Sequence, residues 1–318
     1  MKTKNRLGSL ALATLVAISA GAIAAPNFIN ILTGGTSGVY YPIGVALSQL
    51  YGEKIEGAKT SVQSTKASVE NLNLLQAGRG ELALALGDAV ANAWDGVEEA
   101  GYKKPLDKIR AIAAAYPNYI QIVANADSGI KTIADLKGKS VSVGAPKSGT
   151  ELNSRAILAA AGMSYDDLGK VEYLPYAESV ELIKNRQLDA TLQSSGLGMA
   201  AYRDLASTMA VTFVSIPADV VANIHSAAYQ PSHIPANTYE GQIDDVPTAA
   251  ITNIFVSHTG VSDELAYQMT KLMFENLDKL ASAHAAAKNI KLETATVGLP
   301  IPLHPGAERY YREVGVLK

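Results

Sequence analysis

The sequence predicts an α/β protein built as two doubly wound lobes, joined by crossing strands with a cleft between them. Three observations carry this reading. Short strand-like runs alternate with helix-like runs along the chain. Its 318 residues exceed what one small core organises, so two lobes are the natural division. Glycine- or serine-rich turns recur where a strand passes into a helix, which is where open parallel sheets hold ligands.

Residues 28–33 (FINILT) read as the first strand, ended by the turn Gly34-Gly35-Thr36-Ser37-Gly38. Residues 39–51 carry apolar side chains at helical spacing, with Pro42 tolerable in the first turn. Residues 60–63 form a second strand. Residues 68–77 (SVENLNLLQA) form a helix with Ser68 as its cap and Asn71 three positions on, close to a capping box. Residues 81–86 are a third strand, Asp88 opens another helix, and 109–115 are a fourth strand. This order implies a mainly parallel sheet with helices on both faces.

A second lobe is expected from Tyr119. Residues 120–124 read as a strand crossing between lobes, 133–136 as a short helix, 140–144 as a strand, and 149–161 as a helix closed by Gly162. Residues 171–174, 179–185, 190–193 and 211–216 continue the alternation. The stretch 229–246, with Pro231 and Pro235, reads as loop and turn. Residues 247–257 (PTAAITNIFVS) are the return crossing, 263–280 one amphipathic helix, and 307–313 a last short helix. The division is therefore 25–118 and 247–318 for the first lobe and 119–246 for the second.

The first 24 residues read as a secretory signal. Lys2, Lys4 and Arg6 precede an apolar run from Leu7 to about Ala20, and Ala22-Ile23-Ala24 fits cleavage after Ala24. The run is too short and too alanine-rich for an anchor. With no cysteine in the chain, neither disulfides nor a lipidated N-terminus are expected. An untethered receptor would be lost from a cell with one membrane, so the expected location is the periplasm of a Gram-negative bacterium. The net charge of −3 and the lack of any long basic block give no footprint for nucleic acid.

Three loops each follow a strand and open a helix. Residues 34–41 (GGTSGVYY) offer close backbone approach, the Thr36 hydroxyl and the Tyr40 ring. Residues 64–68 bring Ser64, Thr65, Lys66 and Ser68 ahead of a helix; residues 145–150 (APKSGT) bring Ser148, Gly149 and Thr150. A helix start presents unpaired N–H groups and partial positive charge, which favours carboxylate or phosphate groups. The same residue types also fit plain capping. Loops from both lobes together point to a shared, anion-preferring cleft. Asp88 is a candidate for a ligand ammonium group or for capping its helix, Tyr116 for the hinge, and Gln193, Ser194 and Ser195 for contacts at the end of a second-lobe strand.

Catalytic patterns are missing. The five histidines have no metal spacing, no nucleophile elbow or phosphate-binding glycine motif follows a strand, and there is no cysteine. No enzyme activity, cofactor or metal is expected.

Six stretches in order resemble the TAXI family, the substrate-binding proteins of tripartite ATP-independent periplasmic (TRAP) transporters. They are TGGTSGVYYPIG (33–44), SVENLNLLQAG (68–78), ADSGIKTIADLKGKSVSVGAPKSGTE (126–151), NRQLDATLQSSGL (185–197), TKLMFENL (270–277) and PLHPGAERYYREVG (302–315). The resemblance implies a type II periplasmic-binding-protein fold. It also implies membrane subunits driven by an ion gradient, and acidic ligands such as glutamate or a dicarboxylate. Where the family pattern has two glycines before the SVENL helix, this chain has Lys66 and Ala67. The expected protein is a monomeric receptor for a small anion that delivers to TRAP membrane subunits. A receptor of an ATP-driven importer is the alternative, and a secreted enzyme using the same cleft a more distant one.

Overall fold

Residues 27–318 are described by a computed structural model. The expected signal peptide and its cleavage site at Ala24 lie outside the described residues. The chain runs β1 (Phe28–Leu32), α1 (Tyr40–Lys54), β2 (Lys59–Gln63), α2 (Ser68–Gln76), β3 (Leu82–Leu86), α3 (Gly87–Asp95), then the long β4 (Ile109–Asn125). Next come β5 (Ser140–Ser142), α4 (Gly149–Ala160), β6 (Lys170–Glu172), α5 (Tyr176–Lys184), β7 (Ala190–Ser195), α6 (Ala200–Thr208), β8 (Val211–Val214), α7 (Ala218–Ala222) and β9 (Gln230–Ile234). The chain returns through β10 (Val246–His258) and ends in α8 (Asp263–Glu275), α9 (Leu277–Ala283) and α10 (Pro305–Glu313).

The strand order is β2-β1-β3-β10-β4-β7-β5-β6, with β8 beside β4 and β9 beside β10. Two parallel groups, β2-β1-β3 and β7-β5-β6, are joined through the antiparallel pair β10 and β4. β4 changes neighbours along its length. Its first part lies against β10; from Tyr119 onward it lies against β7, with Tyr119 opposite both Ala250 and Ser195. This is the two-lobed α/β plan in which two long strands cross from one sheet half to the other.

Alternation along the strands sends side chains to two apolar layers. Ile29, Ile31, Leu82 and Leu84 join Leu47 of α1, Val180 of α5, Leu205 of α6 and Met269 of α8. Leu32, Ala83 and Ala85 join Leu72 of α2, Val90 of α3, Ile157 of α4 and Val221 of α7. Helices therefore cover both faces, and β3 (LALAL), buried at every position, is apolar throughout for that reason.

Three sequence expectations change. The fourth strand and the crossing strand are one element, β4, with Pro117 inside it. The stretch 229–246 is not all loop: β9 pairs antiparallel with residues 246–250 of β10, and its Pro231 is tolerated because β9 is an edge strand. The amphipathic segment 263–280 is two helices. At Asn276 (φ −135°, ψ 34°) the side-chain amide donates to the Leu272 carbonyl (2.8 Å), competing with the backbone ladder and ending α8.

Candidate functional site

Four helix N-termini converge on one cleft with a cavity volume of ≈ 80 Å³. Each follows a strand of the sheet. The turn before α1 brings Gly34, Gly38 and Tyr40; the turn before α2 brings Thr65, Lys66, Ala67 and Ser68. The turn before α4 brings Ala145, Ser148, Gly149 and Thr150, and α5 starts with Pro175 and Tyr176. Leu86 at the end of β3 and Ser194 and Ser195 at the end of β7 complete the walls. Among the described residues, no Asp or Glu lines this cleft, and Lys66 is the one charged residue there. The carboxylates in the first turns of α2 and α4 are engaged elsewhere. Glu70 accepts from the backbone N–H of Lys66 (2.6 Å), and Glu151 holds Arg155 through both oxygens (2.7 Å each).

The two sheet halves touch directly at α2 and α4. The backbone N–H of Glu70 donates to the Lys147 carbonyl (3.2 Å). A Cβ added at Gly149 would stand 2.6 Å from Ser68 Oγ and 2.6 Å from Leu86 Cδ1, so only glycine allows this approach.

Of the residues singled out in the sequence, Tyr40, Thr65, Lys66, Ser68, Ser148, Gly149, Thr150, Ser194 and Ser195 come together around the cleft. The others do not. Thr36 is exposed and outside it. Ser64 is exposed and outside the cleft lining, and its hydroxyl donates to the Gly34 carbonyl (2.8 Å), bracing the first turn. Gln193 is fully buried in β7 and donates to the Tyr176 carbonyl (3.3 Å). Tyr116 is fully buried on β4, behind the lining, with its ring 3.2 Å from where a Cβ of Gly196 would stand.

Asp88 does not line the cleft, and it sits in the first turn of α3, whose cap position belongs to Leu86. Buried in α3, it accepts from Asn153 Nδ2 (2.8 Å), from the Tyr229 hydroxyl (2.7 Å) and from the backbone N–H of Ala89 (2.8 Å). Burial raises its pKa above the usual carboxylate value, while the bonds from Tyr229, Ala89 and Asn153 oppose that rise.

Local chemistry holds the loops. Thr65 Oγ1 lies 2.9 Å from the Thr33 carbonyl and 2.6 Å from Asn71 Oδ1, so its one hydrogen stays within the loop. Asn71 donates to the carbonyls of Thr33 (2.7 Å) and Leu84 (2.9 Å), tying the turn before α2 to two strands. The expected capping box is therefore absent at α2. Ser68 is the first helical residue, accepting from the Leu86 N–H (3.1 Å), and the cap position belongs to Ala67. Ala67 takes φ 68°, ψ −144°, a region nearly reserved for glycine. Tyr40 lines the cleft with its ring while its hydroxyl donates to Asn253 Oδ1 on β10 (2.6 Å).

Tyr176 is the residue that sequence reasoning missed. Its hydroxyl donates to the Ser194 carbonyl (2.6 Å) and lies 2.6 Å from Thr150 Oγ1, and burial pushes its pKa up to about 12. The strand-turn-helix pattern was present at Pro175-Tyr176, but without the small hydroxyl residues that marked the other loops.

The model of the NMT1-like family matches residues 31–315. The chain belongs to the NMT1-like family. Solved structures with the same fold include the alkanesulfonate-binding protein SsuA from Xanthomonas axonopodis pv. citri bound to MOPS. That protein is 16% identical, with 93% of this chain and 96% of that chain covered and a TM-score of 0.52. Another is PhnD1 from Prochlorococcus marinus in complex with methylphosphonate, 11% identical, with 92% and 100% covered and a TM-score of 0.55. At these identities the likeness is one of fold. The NMT1-like chain thus has a periplasmic-binding-protein architecture, with its cleft where the strands of both sheet halves end.

Proposed function

We propose that the chain is a periplasmic solute receptor that captures a small organic anion in this cleft and delivers it to the membrane subunits of an ATP-driven importer. One observation carries the reading: four helix N-termini and Lys66 surround a cleft lined by no carboxylate. Each terminus contributes N–H donors and partial positive charge, worth about 0.3–1 kcal/mol toward an anion and more when partly buried. Fold neighbours that hold a sulfonate-bearing buffer and methylphosphonate support the choice of an anion.

In this reading residues 25–118 and 247–318 form one lobe and 119–246 the other, and a ligand touching both stabilises the closed arrangement. The contacts are Tyr40, Lys66 and Ser68 on one side and Gly149, Thr150, Tyr176, Ser194 and Ser195 on the other. An acidic amino acid such as glutamate fits less well than a dicarboxylate, phosphonate or sulfonate, because no carboxylate lines the cleft to meet its ammonium group. Delivery to TRAP subunits is the second reading, favoured by the six stretches that resemble the TAXI family. Uptake that needs ATP or a sodium gradient separates the two.

The test is a thermal-unfolding screen of the mature protein with short carboxylates, phosphonates and sulfonates beside neutral sugars and cationic amines. An anion at a hundred times its Kd adds about 2.7 kcal/mol to stability and raises Tm. A shift with a sugar or an amine and with no anion overturns the reading.

A further inference from the structure

The hydrogen-bond directions around the cleft make its two walls unlike. Asp88 accepts at both oxygens, from the Tyr229 hydroxyl at one and the Ala89 N–H at the other. Asp88 therefore faces the NH₂ of Asn153 (2.8 Å), which leaves the Asn153 carbonyl oxygen to accept from the Ser194 hydroxyl (2.6 Å). That bond uses the single hydrogen of Ser194, so the oxygen has only lone pairs left to offer. A second chain ends the same way. The Ser194 backbone carbonyl can only accept, so Tyr176 donates to it (2.6 Å); Thr150 must then give its own hydrogen to the Tyr176 oxygen (2.6 Å). Both hydroxyl oxygens on the β7 and α4 wall are acceptors. Across the cleft, Ser68 accepts from the Leu86 N–H (3.1 Å) and directs its own hydrogen at the Tyr40 hydroxyl, so the donors there are the Lys66 ammonium and the start of α2. The Ser194 and Thr150 wall thus sets two acceptors beside the N–H groups at the start of α4.

A plain oxyanion suits the N–H groups and Lys66 but offers nothing to these two oxygens. Resting on the proposed anion receptor, we infer that the ligand is an acid carrying a neutral hydroxyl. Its negative charge sits at Lys66 and the helix starts, and its O–H donates to the hydroxyl oxygens of Ser194 and Thr150. Asp88, acting through Asn153, is the positioning residue that sets this preference. The absence of carboxylates from the lining makes the donor a neutral hydroxyl, since an ammonium there would have no counter-ion. The Asp88 link also crosses the cleft floor: Asp88 stands on α3, Asn153 on α4, and Tyr229, which donates to Asp88 (2.7 Å), just before β9.

The experiment is calorimetric titration of the mature protein with matched probes that differ in one O–H. The pairs are singly protonated methylphosphonate against methanesulfonate, and malate against succinate. The expected result is at least a tenfold preference for the hydroxyl-bearing member of a pair that binds. That preference falls to within about twofold in Ser194→Ala and in Asp88→Asn, whose amide can turn either way, while unfolding stays cooperative. A merely structural role for Asp88 would weaken both members equally and leave their ratio intact, and that outcome overturns the positioning role. Equal binding of both members to the unaltered protein, needing no variant, overturns the inference while the receptor reading stands. If none of the four anions binds but a sulfonate or carboxylate lacking a hydroxyl does, the inference again fails alone. Binding of no anion in the wider screen removes the receptor reading and the inference with it.

Discussion

The mouths of α2 and α4 are built from similar sequence, STKAS and APKSG, yet they end their helices in opposite ways. At α4, Ser148 is an ordinary N-cap: its backbone is extended (φ −99°, ψ 157°), and its hydroxyl accepts from the Glu151 N–H (3.1 Å). At α2 the cap position is Ala67, left-handed and without a side chain that can accept. The Glu70 N–H of α2 finds its partner across the cleft instead, in the carbonyl of Lys147, itself at φ 62°. One helix closes its own end; the other is completed by the opposite lobe. An open terminus keeps its N–H groups for a ligand and for interlobe contact, at the cost of local backbone strain of about 1–3 kcal/mol.

The contact between the two mouths is the place to break this arrangement with the largest effect. Gly149→Val would drive a branched side chain into Ser68 and Leu86, which already stand within 2.6 Å of an added Cβ. The starts of α2 and α4 must then separate. Anion affinity is expected to fall by two orders of magnitude or more by calorimetry, with unfolding still cooperative. Unchanged affinity would mean that the two termini do not act on one ligand.

A smaller effect sharpens the contrast, because the same kind of change should act with opposite sign at the two caps. Ala67→Gly relieves a positive φ that glycine adopts freely and should raise Tm by about 2–4 °C, corresponding to roughly 1 kcal/mol. Ser148→Ala removes a working cap and should lower Tm by a similar amount. Differential scanning calorimetry of both variants checks this; two shifts of the same sign would contradict the description of Ala67 as strained.

Much of the fold was legible because it rests on local patterns. The short apolar runs at 28–33 and 81–86 and the helical spacing at 39–51 each mark a buried strand or a one-sided helix. What was missed depends on distant partners. β9 becomes a strand only because β10 offers an edge, and the break at Asn276 depends on its side chain choosing the Leu272 carbonyl over solvent. The three marked loops reached the cleft because glycine and small hydroxyl residues before a helix have a local physical meaning. Individual roles were harder to read. Ser64 and Asp88 have the right chemistry, but the Gly34 carbonyl in one case and Asn153 and Tyr229 in the other claim them first. Nothing in the neighbouring sequence reveals those claims.

The central claim is that backbone N–H groups from both halves meet one anion. A titration of ¹⁵N-labelled protein with the tightest anion from the screen, followed by amide resonances, tests it most directly. Ser68 and Val69 at the start of α2 and Gly149 and Thr150 at the start of α4 should shift together, with a single Kd and one-to-one stoichiometry. Shifts confined to one of the two helix starts, or two groups of shifts with different Kd values, would contradict it.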